Sequence, residues 1–127
     1  MKKETITIIK YKDLSSSKHT PLLMENEQIA IKSLREELSK RFNLIDLRLF
    51  GSKARGEATS ESDIDVMIEV EEVGFETRSQ IYDIVFEINL ENETFLSPTI
   101  FNKREIEKGI MSESPIYKII QEEGIPL

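Results

Sequence analysis

A chain of 127 residues has room for one hydrophobic core, and 39% hydrophobic with 32% charged residues describes a globular protein on the polar side of the ordinary range. Cysteine is absent, which removes disulfides, thiolate catalysis and cysteine-bound zinc, and the single histidine, His19, builds neither a zinc site nor a Ser-His-Asp triad. A formal net charge of −7 argues against non-specific binding of nucleic acid, which needs a basic footprint, but it leaves open a small phosphorylated substrate or a basic protein partner.

No apolar run approaches the length of a membrane span. The basic start has neither the apolar stretch nor the cleavage site of a signal peptide, so a cytoplasmic protein with no membrane association is expected.

In chain order, residues 4–11 carry β-branched and aromatic residues in partial alternation and predict a short edge strand. Residues 12–24, with a Ser run and His19-Thr20-Pro21, read as a connector in which His19 is a solvated loop residue. The reading thus divides a single domain into an N-terminal strand and connector, 1–24, and a main body, 25–127.

Residues 25–42 predict a helix, with Ile31, Leu34, Leu38 and Phe42 on one face and Lys32, Arg35, Glu36 and Lys40 off it. Glu25 and Glu27 at its start and Lys40 and Arg41 at its end suit the helix dipole, and Asn43 reads as its C-terminal stop. Residues 45–50 alternate as a strand, Ile45, Leu47 and Leu49 against Asp46, Arg48 and Phe50, and run into Gly51-Ser52. After a polar loop, residues 63–70 alternate again, with Ile64, Val66, Ile68 and Val70 on the apolar face. The connection between the two strands is about a dozen residues, with room for one helical turn, which favours an antiparallel or bent pair over a full crossover.

Residues 75–90 predict a second long helix that buries Ile81, Ile84, Val85 and Ile88, with Thr77 and Gln80 spaced as a capping box. Residues 94–101 read as a strand, and Pro98 within it, unable to donate to a ladder, puts that strand at a sheet edge or breaks it there. A short helical piece over 103–108 ends at Gly109, and Ser114-Pro115 opens a last helix that stops at Gly124. The sum is an α+β fold, a small mixed sheet with helices packed mainly on one face.

The stretch from Leu49 to Val70 carries the chemistry. Alternation puts Asp63 and Asp65 on one face of a strand and Ile64 and Val66 on the other. Two carboxylates held this close repel unless a cation lies between them, so the chain either solvates them or gives them a metal. Upstream, Gly51 allows a turn that a phosphate can approach, and Ser52 opens a helical turn whose N–H groups and hydroxyl suit an anion. Arg55 reads either as a phosphate contact or as a clamp on the loop, Gly56 ends the turn, and Ser62 orients the chain before Asp63. Lys53, Glu57, Glu61 and Glu69 read as solvated charges, and Phe95 and Phe101 as core. Mg²⁺ suits such a site, because it takes one or two carboxylates together with substrate phosphate oxygens and water.

Gly51-Ser52-Lys53-Ala54-Arg55-Gly56 followed by Ser62-Asp63-Ile64-Asp65 resembles the signature of the DNA-polymerase-β-like nucleotidyltransferases, and most of all their minimal, single-domain prokaryotic members. The flanking order of elements extends the resemblance over about residues 25–124. It implies the nucleotidyltransferase fold, a nucleoside triphosphate (ATP foremost) held by its phosphates at Gly51, Ser52, Arg55 and Ser62, and Mg²⁺ or Mn²⁺ on the catalytic Asp63 and Asp65. It further implies transfer of AMP to an acceptor hydroxyl with release of pyrophosphate. The family usually adds a third carboxylate on a later strand. Here that strand has Ser97 where the acid is expected, and Glu91 and Glu93 lie just before it. The resemblance therefore also implies an alternative: a nucleotide-binding, antitoxin-like partner of a HEPN-type helical protein, with weak or no catalysis. Relatives that act on nucleic acid carry extra domains, so nucleic acid is not an expected substrate without a partner.

Overall fold

Strand β4 (Ile64–Val70) is buried on both faces, and the rest of the fold is arranged to cover them. In the computed structural model, which describes residues 5–7, 22–59, 61–71 and 74–127, β1 (Thr5–Thr7) pairs antiparallel with β2 (Leu22–Met24) as a separate two-stranded ribbon. The other residues of the predicted first strand and most of the connector, His19 included, lie outside the described residues. The end of the connector is strand rather than loop, and Leu23 within it is fully buried in the core.

Helix α1 (Glu25–Arg41) follows, then β3 (Leu44–Phe50), the short helix α2 (Gly51–Arg55), β4, helix α3 (Phe75–Asn92) and β5 (Leu96–Asn102). Helix α4 (Lys103–Lys108), a 3-10 turn over Ile110–Glu113, helix α5 (Pro115–Glu123) and strand β6 (Ile125–Pro126) complete the chain. The main sheet has the order β5-β4-β3-β6. Strands β3 and β4 are antiparallel, as their short connection requires, and β4 and β5 are parallel through the α3 crossover. Strand β5 lies at the edge, so its Pro98 costs no ladder bond on the open side.

On one face, Leu47 and Leu49 of β3 and Ile64, Val66 and Ile68 of β4 pack with Ile31, Leu34 and Leu38 of α1 and with Ile81, Ile84, Val85 and Ile88 of α3. These are the stripes their helical spacing predicts. On the other face, Phe50, Met67, Phe101 and Ile120 form a smaller cluster, closed by an edge-on contact between the Phe101 and Tyr117 rings. The α+β architecture is as expected.

Several local expectations give way to packing. A register irregularity between Leu44 and Asp46 turns Ile45 outward, where it is 42% exposed. The α1 helix ends at Arg41 with Phe42 as an extended cap, so Asn43 does not stop it, and the Asn43 carbonyl instead accepts the Glu71 N–H. The α3 helix begins at Phe75 after Gly74, with no side-chain cap, so Thr77 and Gln80 lie inside the helix rather than in a capping box.

Glu69 is the largest departure on the second face. It reads as a solvated charge, yet it is 9% exposed, because α5 and Tyr117 cover its side of β4, and it stands directly across the ladder from Asp46. Burial pushes its carboxyl above the ordinary range and the Asp46 charge adds to this, while Arg48, which donates to Asp46 at 2.7 Å, pulls the other way. A carboxyl that holds its proton more tightly folded than unfolded costs stability once pH rises above the ordinary carboxylate value. Glu69→Gln should therefore raise Tm at pH 7, with the gain fading as pH falls to about 4. Thermal unfolding at the two pH values measures this, and an unchanged or lower Tm at pH 7 would count against it.

Candidate functional site

The β3–α2 junction turns sharply at Gly51, whose φ of +76° lies in the left-handed region. The turn also allows a close approach. Phe50 pairs with Asp65 across the ladder, and a Cβ built on Gly51 would run into the Asp65 carboxylate, 3.1 Å from its Cγ. Glycine is needed here for both reasons. Lys53 and Ala54 form the buried side of α2, while Ser52 and Arg55, three residues apart, share its half-buried side. Gly56, also left-handed, ends the helix.

Lys53 corrects the sequence reading. It is 2% exposed, not solvated, and its ammonium bonds the Glu27 carboxylate of α1 at 3.0 Å and the Thr59 carbonyl at 3.0 Å. Glu27 also accepts the Met24 N–H at 2.8 Å. One buried cation thereby ties the start of α1, the turn helix α2 and the loop that leads to Asp63. Nothing in the local pattern reveals it, because the two charges are 26 residues apart and each alone looks like a surface residue.

Ser62 closes that loop. Its hydroxyl accepts the Thr59 N–H at 3.0 Å and its own N–H donates to the Thr59 carbonyl at 3.1 Å. Asp63, exposed, stands just before β4, and Asp65, half-buried, is the second residue of the strand. Burial raises the Asp65 carboxyl above its ordinary range, the neighbouring Asp63 charge adds to this, and Arg55 partly offsets it. Arg55 donates to Glu57 at 2.7 Å and to Glu123 of α5 at 3.2 Å, so of its two readings the clamp is the one on view. Glu123 is a residue that sequence reasoning missed.

Strand β5 runs parallel to β4 with Ser97 in register beside Asp65, so a serine occupies the position on the same face where a third carboxylate is expected. The two glutamates before the strand line grooves beside α3. Glu91 lines the groove between α1 and α3, and Glu93 lines a second groove with Phe86, Leu90 and Phe95. Among the described residues no group of three or more His, Cys, Asp or Glu side chains is placed to hold a metal ion. Two crowded carboxylates beside an open glycine turn still fit a divalent cation that shares its shell with a nucleotide's phosphates. No described helix is long and apolar enough to cross a membrane.

A mixed four-stranded sheet with a glycine turn set against an Asp-x-Asp strand is the core of a nucleotidyltransferase fold. The family model for the nucleotidyltransferase domain matches residues 31–127, and the chain belongs to that family, whose members transfer nucleotidyl groups. It is 35% identical over 52 residues to the protein adenylyltransferase MntA of Thermococcus cleftensis, which covers 41% of this chain and 52% of that protein. It is 40% identical over 48 residues to MJ1379 of Methanocaldococcus jannaschii, provisionally named as a protein adenylyltransferase, covering 38% and 48%. The chain thus spans about half the length of the curated relatives it matches.

Two substitutions test this construction by urea unfolding. Gly51→Ala meets both the left-handed φ and the Asp65 carboxylate and should cost more than about 1 kcal/mol. Lys53→Met strands a buried Glu27 and should cost about 3–5 kcal/mol, with partial recovery in the Lys53→Met/Glu27→Gln double variant.

Proposed function

We propose that this chain is a Mg²⁺-dependent nucleotidyltransferase that moves AMP from ATP to a hydroxyl of an acceptor protein. The observation that carries the reading is the contact of Gly51 with Asp65, which sets an open turn against a crowded carboxylate pair. The adenylyl group and the protein acceptor are suggested by the names of the two relatives. In this reading the triphosphate lies along the start of α2, with Gly51 leaving it room and Ser52 and Arg55 facing it. Ser62 holds the loop that delivers Asp63. Asp63 and Asp65 would hold Mg²⁺ or Mn²⁺, which when bound neutralises phosphate charge. The acceptor oxygen forms a bond to the α-phosphorus as the bond from that phosphorus to the bridging oxygen breaks. The hydroxyl proton goes to solvent or a carboxylate, and pyrophosphate leaves.

Ser97 beside Asp65 favours a second reading, a nucleotide-binding partner of a HEPN-type protein with weak or no transfer. The site then lacks one charge for the metal and one candidate base. Calorimetry and labelling separate the two. Wild type should bind Mg–ATP, and Asp65→Asn should lower that affinity about tenfold or more. With α-labelled ATP and a candidate acceptor, labelled product should form and vanish in Asp63→Asn. Binding without labelling selects the second reading, and no binding by wild type removes both.

A further inference from the structure

Glu123 is out of place in its own helix. It is the last residue of α5, where the carbonyl ends of the helix disfavour a negative charge, and the last turn carries no basic residue to offset it. The Arg55 guanidinium offsets it instead, donating from Nη1 at 3.2 Å although the two residues are 68 apart in the chain. Both side chains are 33% exposed, and an ion pair as open as this adds little to stability. Its effect is to fix a direction.

The carboxylate is the fixed partner of the two. Ile120, just before it in α5, is fully buried, and the Gly124 N–H donates to the Ile120 carbonyl at 2.7 Å. Just after it, Ile125 pairs with Leu49 of β3, and the Leu127 N–H donates to the Leu47 carbonyl at 2.8 Å. The side chains of Ile125 and Leu127 are both buried. The chain on either side of Glu123 is thus tied down, and β6 meets β3 just ahead of the turn at Gly51. Arg55 sits at the end of a five-residue helix, on a long side chain with many rotamers to lose.

Two carboxylates divide the guanidinium between them. Glu57 takes Nε at 2.7 Å and Glu123 takes Nη1. An arginine has five N–H donors in a rigid fork, so the Nη2 edge is left over. Ser52 shares this side of α2, and the Arg55 charge acts on the Asp65 carboxyl, so the guanidinium belongs to the neighbourhood of the glycine turn and the carboxylate pair. Fork donors held in place match phosphate oxygens in both charge and geometry.

We propose that Glu123 is a positioning residue for the nucleotide: by holding Nη1 of Arg55 from α5, while Glu57 holds Nε, it presents the Nη2 edge to the triphosphate. The proposal rests on the nucleotide-binding reading above and holds with or without transfer. A carboxylate near a triphosphate repels it, so Glu123 aids binding only through Arg55.

Calorimetry of Mg–ATP binding to the full chain, with Tm measured alongside, tests this. Glu123→Ala should weaken binding about tenfold and leave Tm essentially unchanged. Glu123→Gln keeps an acceptor oxygen for Nη1 and should bind as wild type does. Arg55→Ala should weaken binding at least as much as Glu123→Ala, and the Arg55→Ala/Glu123→Ala double variant should lose nothing more, because Glu123 then has nothing to position. Glu122→Ala, at the exposed neighbouring position on α5, is the control and should bind as wild type. Unchanged binding by Glu123→Ala overturns the proposal, as do losses that add in the double variant or that Glu123→Gln fails to rescue. Tighter binding by Glu123→Ala also overturns it, since the carboxylate would then compete with phosphate for Arg55. A wild type that binds no Mg–ATP removes the nucleotide reading and this proposal together, whereas the other adverse outcomes remove the proposal alone.

Discussion

The ammonium of Lys53, out of contact with solvent and shared between Glu27 and the Thr59 carbonyl, is the interaction on which the site depends. A buried charge of this kind stabilises little against a well-packed apolar substitute, but it is severe if broken. Its value here is positional. It anchors the underside of α2, so that Ser52 and Arg55 face outward, and it holds the loop that Ser62 closes just ahead of Asp63. The turn helix has five residues and would not hold its shape alone.

On that anchored turn the second constraint operates. Gly51 stands so close to Asp65 that a Cβ there would meet its carboxylate, and the Asp63 charge acts on the same carboxyl. Both effects, burial and like charge, make the pair uncomfortable as an ion pair of the same sign, and both are relieved by a cation. The surrounding charges do not relieve them fully, since Arg55, the cation nearest in effect, is divided between Glu57 and Glu123. Ser97 keeps the third position, beside Asp65 in the ladder, neutral.

Much of the fold was legible because it depends on local periodicity. The buried stripes of α1 and α3, the alternation of β4, the edge position of β5 from Pro98 and the opening of α5 at Ser114-Pro115 follow from spacing and backbone chemistry alone. Three misreadings concern burial. Lys53, Glu69 and Phe95 read as solvent or core by residue type; segments far off in the chain reverse the first two, and the turn after α3 reverses the third. Glu27 and Thr59 enclose Lys53, α5 shelters the side of β4 that bears Glu69, and the turn held by Asn89 lifts Phe95 out of the sheet.

The sequence by itself therefore determined the buried helix stripes, the strand alternation and the placing of a Gly-Ser turn ahead of Asp63 and Asp65, because alternation and glycine's backbone freedom act over a few residues, and the motif those residues form carried the resemblance to the nucleotidyltransferases. Only the tertiary structure decided that Gly51 abuts Asp65, that Arg55 is clamped by Glu123, that Glu91 and Glu93 line grooves beside α3, and that α3 exposes a second apolar stripe. Those outcomes depend on contacts between segments far apart in the chain. Their geometry is set by how two helices and a sheet pack, and no local pattern encodes it.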